Sequence, residues 1–273
     1  MTGFEIAKNP SHFIDTNILF DIIYEGRLRH KKAMEFYKQF KNLELSVEPK
    51  VHAEANSVIL KYIQNFAQDL NNFLFTKNRH SKPWDSLKPL ERKKRLNEFL
   101  VEITKQKKDL APDFLPFYEG MIQAVQVEMM DNDFEELKEG LLTMPVSHLQ
   151  LFKINVRNRF TYYSPAFDIN RQDMLDFLSK LKDKLKNVYF TKEQRSDMEI
   201  IISVIHLVLF GNASGTAMKF IILYTNDKNM ISNYGHICST PPDLDQTDFN
   251  EMLKRGITSV NLDNPYKGPA PTV

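Results

Sequence analysis

The chain has almost no cysteine. Cys238 stands alone, so no intrachain disulfide can form, as expected of a protein from a reducing cytoplasm. It also lacks a long hydrophobic run. The longest, "IIISVIHLVLF" from Ile200 to Phe210, is interrupted by Ser203 and His206 and is far short of the roughly 20 residues that cross a bilayer. The opening "MTGFEIAKNPSH" has no basic segment followed by an apolar one, so no secretory signal is expected and the protein reads as soluble and cytoplasmic, with no membrane partner. Charge of one sign is missing too. The 36 Lys and Arg nearly cancel the 35 Asp and Glu, leaving +1, so any surface for a polyanion must be local. No internal repeat is visible.

What remains is globular. With 42% hydrophobic and 26% charged residues, 273 residues suffice for one large domain or for a core carrying an insertion. "FIDTNILFDIIY" begins as a short apolar strand and turns helical after Asn17, and "HKKAMEFYKQF" continues as an amphipathic helix. "LELSV" (Leu43 to Val47) alternates like a strand. The helix after it has Val51, Ala55, Val58, Ile59, Ile63, Phe66, Leu70 and Phe73 on one face. Strand, helix, strand, helix predicts an α/β sheet.

From Lys77 to Phe190 the alternation stops. Helical periods are separated by "SKPWDSLKP" and "LAPDFLP", read as breakers. "FYEGMIQAVQVEMMDNDFEELKEGLL", "VSHLQLFKINVRNRF" and "RQDMLDFLSKLKDKL" each read as helix. The α/β pattern returns with "RSDMEIIISVIHLVLF", where Ser196 and Glu199 have the spacing of a capping box. "MKFIILYTND" is the clearest strand, and "ITSVNL" reads as an edge strand. The expected organisation is an α/β core with a central, mostly parallel sheet from 1–76 and 191–265, an all-helical insertion from 77–190, and a loose tail from 266–273.

Four acids fall at element ends. Asp15 ends the first strand, Glu54 lies early in the helix after the second, Asp197 opens a core helix, and Asp227 follows the best strand. In an open α/β sheet these positions converge on one crevice, where ligands bind. Alone, each has an ordinary explanation. Asp15 suits a helix cap, Glu54 a solvated helical position, Asp197 a favourable charge in a first turn, and Asp227 a turn. Together, four carboxylates in one crevice raise each other's pKa unless a cation such as Mg²⁺ or Mn²⁺ neutralises them.

"FIDTNILFDII", "SVEPKVHAEANSVI", "RSDMEIIISVI" and "FIILYTNDKNM", in that order, resemble the four motif regions of PIN-domain nucleases. The resemblance spans about the first quarter of the chain and the stretch from Ser196 to Leu262. It implies a Rossmann-like fold and metal-dependent hydrolysis of phosphodiesters, usually in single-stranded RNA, by an endoribonuclease. Carried over, the catalytic and metal-binding residues would be Asp15, Glu54, Asp197 and Asp227, with Asn17 and Thr225 supporting them. The helical block departs from the compact members of that family. It would shape substrate access, carry RNA, or mediate assembly as a homo-oligomer or with another protein.

Three segments are candidates for tracking a nucleic-acid backbone. One brings Lys77, Arg79, His80 and Lys82 near Arg92, Lys93, Lys94 and Arg95. "KINVRNRFTYY" mixes Lys153, Arg157 and Arg159 with Phe160, Tyr162 and Tyr163, the pairing of cations and stacking rings that suits single strands. "KLKDKLKN" (Lys180 to Asn187) reads better as a solvated helix face. His206, on an apolar helix, reads as a core histidine. Other functions remain open. One is a phosphatase with its aspartate after the first strand, although Asn17 stands where its second acid belongs. The others are a catalytically silent scaffold of PIN type and a structure-specific DNA nuclease.

Overall fold

The computed structural model describes residues 10–40, 43–74, 83–107, 111–163, 194–211, 218–239 and 254–267. The segment "SHFI" is strand β1 (Ser11–Ile14), with Phe13 and Ile14 fully buried. Helix α1 (Thr16–Ile23) starts directly after Asp15, whose carbonyl accepts the Leu19 N–H. Helix α2 (His30–Gln39) leads to β2 (Leu45–Val47), and α3 (Pro49–Asn72) follows after Glu48. Pro49 opens α3, where its missing N–H has no helical partner to lose. The face expected from the periodicity is the buried one: Val51, Ala55, Ile59, Ile63, Phe66 and Leu70 are all at most 1% exposed.

After a single 3₁₀ turn at Trp84–Ser86 come α4 (Pro89–Gln106), α5 (Ala111–Glu128) and α6 (Phe134–Arg159). "LAPDFLP" is no breaker: α5 runs through Pro112 and Pro116, and α6 runs through Pro145. The chain breaks instead at "MMDND", within a stretch whose periodicity reads as unbroken helix. Pro112 sits in the first turn, where proline is tolerated. Pro116 and Pro145 forgo one backbone bond each, in helices that bury Phe117, Tyr118, Met121, Leu141, Met144 and Phe152.

Strand β3 (Thr161–Tyr162) follows α6 immediately. Then come α7 (Gln194–Phe210), β4 (Ile221–Tyr224), α8 (Lys228–Ser239), a helical turn at 254–258 and β5 (Val260–Asp263). Ser196 lies inside α7 and not before it, so it does not cap the helix. Glu199 pairs instead with Lys50, at 3.0 Å. Helix α7 is apolar on nearly every side and buried to match, and it ends at Gly211, whose φ of 83° needs glycine. Among the described residues, no helix is long and apolar enough to cross a membrane.

The protein is α/β. Among the described residues five strands form one all-parallel sheet in the order β3-β2-β1-β4-β5, with β5 at an edge as expected. The chain packs into two compact units, one of 1–20, 32–54 and 159–273, the other of 21–31 and 55–158. The first contains the sheet, and the second is helical. The boundaries expected from the sequence were 77 and 190. In the structure the helical unit also takes most of α3 and the end of α1, and it ends at 158. The expected helix at 171–185, the basic residues Lys77 to Lys82 and Lys180 to Lys186, and the tail beyond 267 lie outside the described residues.

Candidate functional site

Strand order reverses about β1: β2 pairs on one side of it and β4 on the other. A doubly wound sheet opens its crevice at such a point, beyond the carboxyl ends of the strands. Asp15 and Thr225 are the first residues past β1 and β4, tied by the Asp15 N–H donating to the Tyr224 carbonyl at 3.0 Å.

Asp15 is 2% exposed. One carboxylate oxygen accepts the Thr16 N–H at 2.5 Å, and the other accepts the Thr225 hydroxyl at 2.8 Å. Thr225, fully buried, accepts the Asp227 N–H in turn at 3.0 Å. On the other side the Thr16 hydroxyl donates to Glu54, whose second oxygen accepts the Ser196 hydroxyl at 3.0 Å. Asp197 follows Ser196 in the first turn of α7. Asp227 also caps α8, accepting the Asn229 N–H at 2.7 Å and the Met230 N–H at 3.4 Å. Asn17, half-buried in the first turn of α1, makes no hydrogen bond to these acids among the described residues. Thr16, which was not singled out from the sequence, makes one.

The acids sense one another. Burial drives the Asp15 carboxyl up to about 7, and Glu54 and Asp227 add to the rise against the opposing pull of Thr225 and Thr16. Burial also drives Asp197 up to about 7, with Asp227, Asp15 and Glu54 all adding to it. The charged neighbours that move these two groups are all carboxylates. They are nevertheless not drawn into a closed ligand shell: among the described residues, no group of three or more His, Cys, Asp or Glu is placed to hold a metal ion. Thr16 links Asp15 and Glu54 through its N–H and its hydroxyl, and the Thr225 hydroxyl links Asp15 to the Asp227 backbone.

Glu48 was not among the acids singled out from the sequence. It directly follows β2, is 1% exposed, and accepts the Ser203 hydroxyl at 2.6 Å and the Lys50 N–H at 2.6 Å. Burial raises it to about 7. An acid directly before a helix-opening proline was the available signal.

The expected nucleic-acid residues separate. Arg92 is buried, donates to the Met130 and Asn132 carbonyls at 2.6 and 2.8 Å, and lies over the Trp84 ring. Its guanidinium closes the break after α5 and leaves no face for a phosphate. Phe160 is also buried, edge-on to Tyr37, so it cannot stack on a base. Lys93, Arg157 and Arg159 are exposed. Tyr162 is half-exposed in β3, edge-on to His52. His206 is 1% exposed against Phe210, and burial lowers it to about 4, as suits a core histidine. No protein-family model, curated protein or solved structure matches the chain, and the reading of its site therefore rests on its own residues.

Proposed function

We propose that the protein is a metal-dependent phosphodiesterase of the PIN type that cuts single-stranded RNA. The observation that supports this most is the meeting of Asp15, Glu54, Asp197 and Asp227 at the switch point of a parallel sheet, two of them raised to about 7 by burial and by other carboxylates. An all-oxygen donor set of this kind suits Mg²⁺ or Mn²⁺, which these four residues would hold. When bound, the ion would supply an activated water and offset the charge that develops on the phosphate. The choice of RNA over DNA comes from the resemblance of the motifs.

The chain's own contribution is orientation. Thr225 and the Thr16 N–H hold both oxygens of Asp15, and Thr16 with Ser196 holds both oxygens of Glu54. Each carboxylate keeps lone pairs to spare, and burial excludes competing water from Asp15. Closing on a cation would need side-chain movements that bring the carboxylates together, since as they stand no three of them among the described residues are placed to hold an ion.

The test compares wild type with Asp15→Asn on single-stranded RNA and DNA, with Mg²⁺, Mn²⁺ or EDTA, and measures Mn²⁺ binding separately by electron paramagnetic resonance. The expected result is RNA cleavage that needs the ion and disappears in the variant. Wild-type rates in Asp15→Asn would sink the assignment. Mn²⁺ binding without cleavage of either polymer would favour the silent scaffold.

A further inference from the structure

Helix α6 has two apolar faces. Leu137, Leu141, Met144, Phe152 and Val156, at most 3% exposed, form the inward one. On the opposite side Leu142 is 72% exposed, Val146 is 66% exposed, and Leu149 lies half-exposed between turns. These three follow the spacing of four and three residues that forms a seam between paired helices. The seam continues in both directions with charge, and the charge is sorted. Glu135 and Glu139 precede the apolar residues on the same face, and Lys153 and Arg157 follow them. Among the described residues Glu139, Lys153 and Arg157 form no ion pair, and Glu135 has only a loose contact with Lys138 at 3.9 Å, both exposed.

We propose that this face of α6 pairs with the same face of a second copy of the chain, antiparallel, on a two-fold axis at Val146. The pattern is self-complementary in that direction alone. Glu139 and Lys153 both lie seven residues from Val146, and Glu135 and Arg157 both lie eleven residues from it. Rotation about Val146 therefore sets Glu139 of each copy against Lys153 of the other, and Glu135 against Arg157. The two Val146 side chains meet on the axis, with Leu142 and Leu149 on either side. A parallel pair would set acid against acid and base against base. An isologous contact of this kind closes on itself and stops at two copies.

The seam from Glu135 to Arg157 is roughly 33 Å long at about 1.5 Å per residue. One helix pair of that length is at the small end of specific interfaces, so the dimer would form in the micromolar range and weaken with salt, as its flanking ion pairs are screened.

The experiment is sedimentation equilibrium on the full chain over about 1–100 µM, at low salt and in 1 M NaCl, with circular dichroism to confirm that each variant is folded. Wild type should dimerise, more weakly in high salt. Glu139→Lys and Lys153→Glu should each weaken the dimer at least tenfold by setting like charges together. The double variant should recover most of the loss, since each reversed residue then faces its reversed counterpart. Val146→Glu should give a folded monomer. Should that variant lose its helical signal, the charge-reversal pair still decides the matter, because Glu139 is exposed, Lys153 is only half-buried and neither is in the core. A wild type that stays monomeric at 100 µM overturns the proposal. So does a dimer indifferent to Val146→Glu, or a double variant no better than the single ones.

Discussion

Asp15 and Asp21 lie six residues apart in the same short segment, and both are buried, at 2% and 1% exposure. Their surroundings are opposite. Asp21, in the helical unit, meets the Arg27 guanidinium at 2.6 Å, and its backbone carbonyl meets the His30 ring at 2.9 Å. Asp15, in the sheet unit, meets one hydroxyl, an N–H and the charge of further acids. A buried charge with a built-in counter-ion is satisfied by the fold itself. A buried charge surrounded by like charges is a cost the fold does not relieve, and such costs collect at functional sites. Burial alone does not distinguish the two aspartates; the company each keeps does.

Asp15→Asn should separate them most sharply. If Asp15 belongs to a reactive site, cleavage should fall on the order of 10³-fold, the scale of losing a central electrostatic group. Stability at pH 8 without divalent ions should rise by about 2 kcal/mol, because the charged form is the one that burial and neighbouring acids penalise. Denaturant titration beside the cleavage assay checks both, and a variant that loses stability as well would make Asp15 a structural aspartate like Asp21. The mirror experiment is Arg27→Ala. It leaves Asp21 buried without its cation and should cost about 3 kcal/mol, leaving the metal-dependent rate per folded molecule unchanged. If Arg27→Ala instead proves neutral, the contrast between the two aspartates fails.

Glu48 lies between these cases, being buried with hydrogen bonds and a pull from the Lys50 charge that burial outweighs. Its pKa of about 7 stands above the ordinary glutamate value of 4.5. Below 4.5 the group is protonated in both folded and unfolded chains and contributes no pH dependence. As pH rises from 4.5 to 7 the unfolded chain releases the proton first, so folding loses stability, by about 3 kcal/mol in all, and the loss stays constant above 7. Glu48→Gln keeps the acceptor for the Lys50 N–H and cannot ionise. Its stability relative to wild type should climb across that window and level off above it. Parallel curves for the two proteins would show that Glu48 does not change protonation there.

Much of this was legible in the sequence, for reasons that also mark where reading stops. Strands β1, β2 and β4 are apolar runs bounded by turn residues; Asp15 and Asp227 stand just past β1 and β4, and Glu54 and Asp197 lie early in α3 and α7, so local pattern was enough to find them. β3 was not legible. Thr161 and Tyr162 directly follow a predicted helix in a segment read only as cations beside rings, and they become a strand because β2 offers them an edge, with the Tyr163 N–H donating to Val47 at 3.3 Å. The prolines of α5 and α6 misled because a local breaker was outweighed by large side chains packed on either side of it. Arg92 and Phe160 read as surface cation and stacking ring; only tertiary packing turns them inward. Likewise Thr16 and Ser196 reach Glu54 across 38 and 142 residues, bonds that exist only once the sheet has brought α1, α3 and α7 together.

The smallest effect tests whether one residue can belong to both classes. Asp227 caps α8 through the Asn229 and Met230 N–H groups, a task any turn aspartate performs, and it also raises Asp15 and Asp197. Asparagine retains the capping oxygen and removes the charge, whereas alanine removes both. Asp227→Asn should therefore leave stability unchanged or slightly higher, and Asp227→Ala should lose about 1 kcal/mol with the cap. Cleavage should fall by the same factor in both, since both remove the charge. If instead activity tracks stability, falling in Asp227→Ala and surviving in Asp227→Asn, Asp227 serves α8 alone, and the reactive group of carboxylates shrinks to Asp15, Glu54 and Asp197.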